Sequence, residues 1–276
     1  MVVDELDLQV TICLENADDK IFMGSTPLTR DLYASVTLYS CEFSSKEFSL
    51  YSVLNARLRN ADREGLKPFI PYIWLIMHAL DLCPPYEGRL VYRGMANVRI
   101  NLDEYRTGRK LTWFQFSSCA SSIEVQKGFL GAVGDRCLFT IELTTWRARL
   151  ISELSLFPQE SEVLLPPNTR LEVVATLDGG GGLTIIQLRE LEPSDPILRF
   201  GGRASATVAP TTTPASTPSS TPLPVPSPPS PVGATSSAPP PPPSPSGEPW
   251  PPTTHLAMLY SVINDSRVWQ GKRVWA

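Results

Sequence analysis

Between Ala204 and Pro252 the chain carries 18 of its 28 prolines and a single charge, Glu248. A run of Pro, Ser, Thr and Ala cannot bury enough apolar area to offset its ordering entropy, so residues 201–253 read as an extended, disordered linker. "PPPPPSP" within it is the kind of segment a proline-reading domain could bind, and a plain spacer has the same composition. Beyond it, residues 254–276 include "HLAMLYSVINDSRVWQ", which reads as a short amphipathic helix or strand. Folding therefore falls to the first 200 or so residues, a length that supports one domain with a substantial core.

That part is ordinary globular material. The chain is 42% hydrophobic and 19% charged, and its formal charge of -4 provides no broad basic field for gripping nucleic acid. "MVVDELDLQV" lacks the cationic start and apolar run of a secretory signal, so a cytoplasmic protein is the simple expectation. The five cysteines, at 13, 41, 83, 119 and 137, contain no C-x-x-C pair and are odd in number. Reduced thiols are expected, with neither a metal site nor a disulfide framework. The most apolar stretch, "FIPYIWLIMHALDL", is shorter than the roughly 20 residues that span a bilayer, and reads as a buried helix.

Three textures follow one another. Residues 1–27 read as an N-terminal extension, with a strand-like "LDLQVTICL" followed by turn-rich "ENADDK". From 28 to 84 the apolar spacing lengthens to three and four, which predicts two or three packed helices punctuated by Pro68, Pro71 and Pro84. From 88 to 192 short β-rich runs alternate with turns: "RLVYRGM", "KLTWFQFSS", "RCLFTIEL", "SEVLLPP", "RLEVVATL" and "LTIIQLREL". "DGGGG" between the last two lacks the Lys-Ser/Thr of a phosphate loop and predicts a hairpin turn.

The two histidines, His78 inside a hydrophobic helix and His255 beyond the linker, suit no Ser-His or Cys-His catalysis. A satisfied core position is expected for His78. No G-x-G-x-x-G follows a strand, which excludes a Rossmann dinucleotide site. Three polar islands remain inside apolar strands: "YRG" at 92–94, "FSSCASS" at 116–122 and "ESE" at 160–162. On an extended segment Glu160 and Glu162 project to one side while Ser161 turns away, and Pro158, Pro166 and Pro167 favour that geometry. Two neighbouring carboxylates repel, so one needs a cationic partner or a raised pKa, a common mark of a working site.

These islands resemble the arginine-specific mono-ADP-ribosyltransferases of the Arg-Ser-Glu class. "ISELSLFPQESEVLLPP" resembles that family's Ile-Ser-x-x-Ser-x-x-Pro-x-Glu-x-Glu-Val-Leu-x-Pro-Pro signature, "LVYRGM" its arginine strand and "LTWFQFSSCASS" its Ser-Thr-Ser strand. The helical lead-in "LYSVLNARLRNADR" agrees in order and spacing, so the resemblance covers about residues 28–192. It implies an α+β fold with a mixed, mostly antiparallel sheet behind an N-terminal helical part, the catalytic domain spanning 28–200. It also implies NAD as substrate, no metal, and a protein arginine as acceptor.

The resemblance assigns roles residue by residue. Arg93 would hold NAD through a phosphate or ribose, and the Gly94 backbone would bond the nicotinamide carboxamide. Ser118 would orient the catalytic glutamate, although Cys119 and Ala120 stand where the family has Thr and Ser, and a shifted register would bring Ser117 or Ser121 there instead. Glu162 would steady the oxocarbenium-like sugar as nicotinamide leaves. Glu160 would grip the acceptor guanidinium and draw off its proton. Residues 151–159 would recognise the acceptor, with Phe157 as an aromatic contact or a core anchor. Phe129 would stack on nicotinamide, while its apolar neighbours favour core packing. NAD glycohydrolysis and a non-catalytic interaction module with a proline-rich tail are the alternative readings.

Overall fold

Pro71 enters the first turn of a helix where its missing N–H costs nothing, and the thirteen residues of that helix, Ile70–Leu82, are apolar nearly all round. The computed structural model describes residues 2–193, with side chains from residue 5; the proline-rich linker and the 254–276 segment lie outside them. Four helices of the described part come first: α1 (Val2–Phe22), α2 (Arg30–Ser40), α3 (Leu50–Arg59) and α4 (Ile70–Leu82). In α2 the run Tyr33–Tyr39 is buried on every side, whereas α3 buries one stripe, Leu50, Leu54 and Leu58, at the i, i+4, i+8 spacing of a single helical face. Among the described residues no helix is long and apolar enough to cross a membrane.

The strand expected near residues 6–14 is not there. Leu6, Val10, Cys13, Leu14 and Ala17 are buried at helical spacing along α1 and join the same core as α2 and α4. Short windows of this segment mimic alternation; the longer 3.6-residue period decides. His78 is also not a core residue: it is partly exposed, with Nδ1 on the Trp74 carbonyl at 2.8 Å and its ring against that of Trp74.

The remaining elements are β1 (Leu90–Ala96), β2 (Lys110–Trp113), β3 (Ser117–Ala120), α5 (Ile123–Leu130), β4 (Arg136–Glu142), β5 (Arg149–Leu150), β6 (Glu162–Leu165), β7 (Thr169–Gly180) and β8 (Leu183–Leu191). The eight described strands form one sheet in the order β2-β7-β8-β4-β1-β3-β6-β5. Every pair is antiparallel except β4 with β8. β7 and β8 close through Gly181 and Gly182, at φ 57° and 82°, so the glycine run is a hairpin turn of the kind that needs positive φ twice.

Side-chain alternation along β3 and β6 separates two cores. Phe116 and Leu164 pack with the helices, while Cys119, Val163 and Leu165 pack with the residues of the long strands. Arg149 joins the layers. It is 1% exposed, its Nε donates to the Leu80 carbonyl at 2.7 Å and its Nη1 to the Trp146 and Ala148 carbonyls, so it adds a second donor to a carbonyl in the last turn of α4 that the Cys83 N–H reaches at 3.2 Å.

Candidate active site

Along its length β1 is paired with β4, from Leu90 opposite Glu142 to Ala96 opposite Arg136. On its other edge it meets β3 at one position only, Tyr92 opposite Ala120. Past that point the sheet parts, and the opening is a cleft of about 900 Å³, measured to its solvent-open mouth, lined by Arg93, Gly94, Ser118, Gln126, Glu160 and Glu162 among others. The helices supply its opposite wall through Tyr39, Tyr51 and Asn55.

Arg93, Ser118, Glu160 and Glu162, four residues separated by up to 69 positions, thus share one cleft. Arg93 Nη1 donates to the Ser118 carbonyl at 2.6 Å and so staples β1 to β3 just where they diverge. Ser118 faces the helices with Phe116 and Ala120. Ser117 points the other way, buried, and neither it nor Ser121 lines the cleft. Cys119 and Ala120, where Thr and Ser were expected, are buried strand residues.

Glu162 opens β6 at 6% exposure. Burial pushes its carboxyl above the ordinary range and the nearby Glu160 adds to this, while hydrogen bonds from Ser118 and Ser155 and the charge of Arg93 pull it back. Glu160, less buried, is also raised, by desolvation first and then by the like charge of Glu42, with Lys46 opposing. Lys46 pairs with Glu42 at 2.8 Å. On the cationic side, burial and the neighbouring Arg93 hold Arg59 below its usual value.

The two glutamates reach the cleft by a route other than strand alternation. Pro158–Glu160 is a 3-10 turn with proline in its first positions, and Ser161 follows at φ 47°, ψ 48°, in the left-handed region. Proline's fixed φ suits the start of a turn as well as an extended strand, which is why the spacing alone misled. Across the left-handed Ser161 both flanking carboxylates line the cleft.

Gly94 differs from expectation as well. Its N–H donates to Gln126 Oε1 at 2.5 Å, so the backbone donor assigned to nicotinamide is held by a side-chain amide of α5. A Cβ at Gly94 would sit 2.8 Å from that oxygen and 3.0 Å from Leu130 Cγ, so the glycine admits α5 against β1. Phe129 is 49% exposed on the cleft and is not packed in the core. Phe157, half-buried, lines it too.

Several residues of the site carried no sequence motif. Tyr39, almost fully buried, has its hydroxyl pushed well above the usual value by burial and receives Asn55 Nδ2 at 2.9 Å; Asn55 Oδ1 in turn accepts the Phe116 N–H at 3.1 Å, just ahead of β3. A polar pair one helix apart, amid apolar spacing, is the only trace they leave. Among the described residues no group of three His, Cys, Asp or Glu converges as a metal site.

The profile of the family described as ART, NAD:arginine ADP-ribosyltransferase, matches residues 26–194. The chain belongs to this family. The ART match takes in every element from α2 to β8 and leaves α1 ahead of it. Mav of Mycobacterium avium (strain 104), by its name a candidate NAD(+)-arginine ADP-ribosyltransferase, is 34% identical over 116 residues, which are 42% of this chain and 14% of Mav. This ART chain therefore matches only a small part of that relative's length. The ADP-ribosyltransferase HopU1 of Pseudomonas syringae pv. Tomato DC3000 shares the fold at a TM-score of 0.54 and 19% identity, over 66% of this chain and 87% of HopU1. The fold is that of the ADP-ribosyltransferases: α+β, helices on a mostly antiparallel sheet.

Proposed function

We propose that the chain transfers ADP-ribose from NAD to arginine side chains of proteins, releasing nicotinamide. What carries the reading is the placement of Glu162: a carboxylate at the edge of a split sheet, buried and held by Ser118 and Ser155, with Arg93 in the same cleft. There it serves a developing sugar cation as the carboxylates of glycosidases do. Arg93, with Arg59 near enough to feel its charge, offers cationic density for a diphosphate.

Glu160 is the acceptor-side carboxylate. Its raised pKa suits a group that grips a guanidinium and takes its proton as the nitrogen attacks. Phe129 and Phe157 supply apolar faces on that cleft, one for the nicotinamide ring and one for the acceptor. Because Gln126 occupies the Gly94 N–H, the nicotinamide carboxamide gains that donor by displacing the glutamine. With the five cysteines unpaired, the expected setting is a reducing compartment such as the cytosol.

The experiment is incubation with NAD labelled in the ADP-ribose part and a small arginine analogue. Label is expected on the guanidino group with wild type. Glu160→Gln is expected to lose that transfer by about 10²-fold or more, the usual weight of general-base catalysis, while residual hydrolysis of NAD persists. Label released only as free ADP-ribose by wild type would mean water is the acceptor and would end the arginine reading.

A further inference from the structure

We infer that Gln126 sets the affinity of this site for NAD: its side-chain carboxamide is an internal competitor of the nicotinamide carboxamide, so that substrate and leaving group alike bind against it; this rests on the transferase reading above. α5 buries one of its eight residues, and that one is Gln126, at 5% exposure, while Ile123 and Phe129 of the same helix are exposed. An amphipathic helix ordinarily does the reverse. Burying a carboxamide is costly unless its polar atoms are hydrogen-bonded, so the inversion requires a partner for the amide. That partner is the Gly94 N–H, which reaches Gln126 Oε1 at 2.5 Å across 32 positions of sequence.

Gly94 sits opposite Leu138 of β4, yet its N–H is given to α5, on the edge where β1 and β3 have already parted. That edge is the cleft, which Gly94, Gln126 and Phe129 all line. One backbone N–H serves one acceptor well. The two acceptors that claim this one are the same functional group, a planar primary carboxamide whose oxygen accepts and whose NH2 donates. A donor placed to suit one therefore suits the other, and the closed arrangement, with the glutamine on Gly94, is the one in the structure. Apparent affinity falls by the fraction of molecules that are open. A net hydrogen bond of ordinary strength leaves about a tenth to a third of them open, which weakens NAD binding by about threefold to tenfold. Removing the acceptor from α5 is the clean perturbation, because a methyl added at Gly94, 2.8 Å from Oε1, crowds any carboxamide there, the protein's or the ligand's.

The test compares Gln126→Leu and Gln126→Glu with wild type in the full chain, reading labelled transfer, inhibition by nicotinamide, and amide NMR. Gln126→Leu keeps bulk at a buried position and has no acceptor. It is expected to lower KM for NAD and the inhibition constant of nicotinamide together, by about threefold to tenfold; the gain lies in KM because saturating NAD empties the closed arrangement in either protein. Gln126→Glu keeps an oxygen beside Gly94 and is expected to hold KM at or above the wild-type value. A purely structural glutamine gives the opposite result for leucine, a KM that rises with a lowered Tm. In wild type titrated with nicotinamide alone, the Gly94 amide and the Gln126 side-chain NH2 resonances are expected to move together. A folded Gln126→Leu whose KM is unchanged or raised overturns the inference, and so does nicotinamide that moves the Gly94 resonance while the Gln126 NH2 stays in place. Should wild type transfer no label while nicotinamide still moves both resonances, the transferase reading falls and the competition at Gly94 stands.

Discussion

Glu162→Gln separates what the carboxylate costs the fold from what it does for the reaction. Glutamine is nearly isosteric and keeps an oxygen to accept the Ser118 and Ser155 hydroxyls, so packing at this buried position is preserved while the charge is removed. The native pKa of Glu162 lies above the ordinary carboxylate value, with burial as its first cause. The sign follows from linkage: stability associated with a raised carboxyl pKa is fully present below the unfolded-state value and is lost as pH rises through the native one.

At neutral pH the ionised, buried Glu162 therefore weakens the fold, by about 1.4 kcal/mol for each unit of upward displacement. Each kcal/mol regained should raise Tm by about 2–4 °C for a domain of this size. Glu162→Gln is expected to melt above wild type at pH 7.5, with the gap closing toward pH 4, and to lose transfer by about 10²–10³-fold or more, the weight of one preorganised electrostatic group. Thermal melts across pH and the labelled-transfer assay read the two effects on one sample. A variant that melts below wild type at neutral pH would show that the serine hydrogen bonds outweigh desolvation. One that transfers like wild type would refute the assignment of Glu162 to the sugar cation.

Gly94→Ala drives a methyl to 2.8 Å from Gln126 Oε1 and 3.0 Å from Leu130 Cγ. It should cost about 1–3 kcal/mol by overpacking and raise KM for NAD as the glutamine is pushed aside, checked by thermal melts and initial rates. Ser161→Val puts a β-branched residue at φ 47°, where left-handed backbone costs about 1–2 kcal/mol; transfer should fall about tenfold, while Ser161→Gly keeps it, both read in the transfer assay. Arg149→Ala removes the guanidinium donors to the Leu80, Trp146 and Ala148 carbonyls, of which Leu80 keeps the Cys83 N–H and Ala148 the Tyr86 N–H, and it empties a buried side-chain position; it should cost about 2–4 kcal/mol, seen as a lowered denaturation midpoint.

What the chain by itself made readable was local. Spacings of three and four marked α2, α3 and α4, β-rich runs marked β1, β4, β6, β7 and β8 while joining β2 and β3 into one run and passing over the two-residue β5, and "ESE" with "LVYRGM" and "FSSCASS" pointed to Arg93, Ser118, Glu160 and Glu162. The errors were local too. Residues 6–14 alternate well enough to pass for a strand until the whole of α1 is counted, and prolines around Glu160 fit a 3-10 turn as readily as an extended edge. Only the tertiary structure decided that β1 and β3 part after one pair, that Gln126 reaches a glycine 32 positions away, and that Tyr39, Asn55 and Ser155 support the site. The reason is physical: dihedral preference and side-chain periodicity act within a few residues, whereas the partner of a buried hydrogen-bonding group is chosen by sheet register and helix packing, which bring together residues that no local pattern relates.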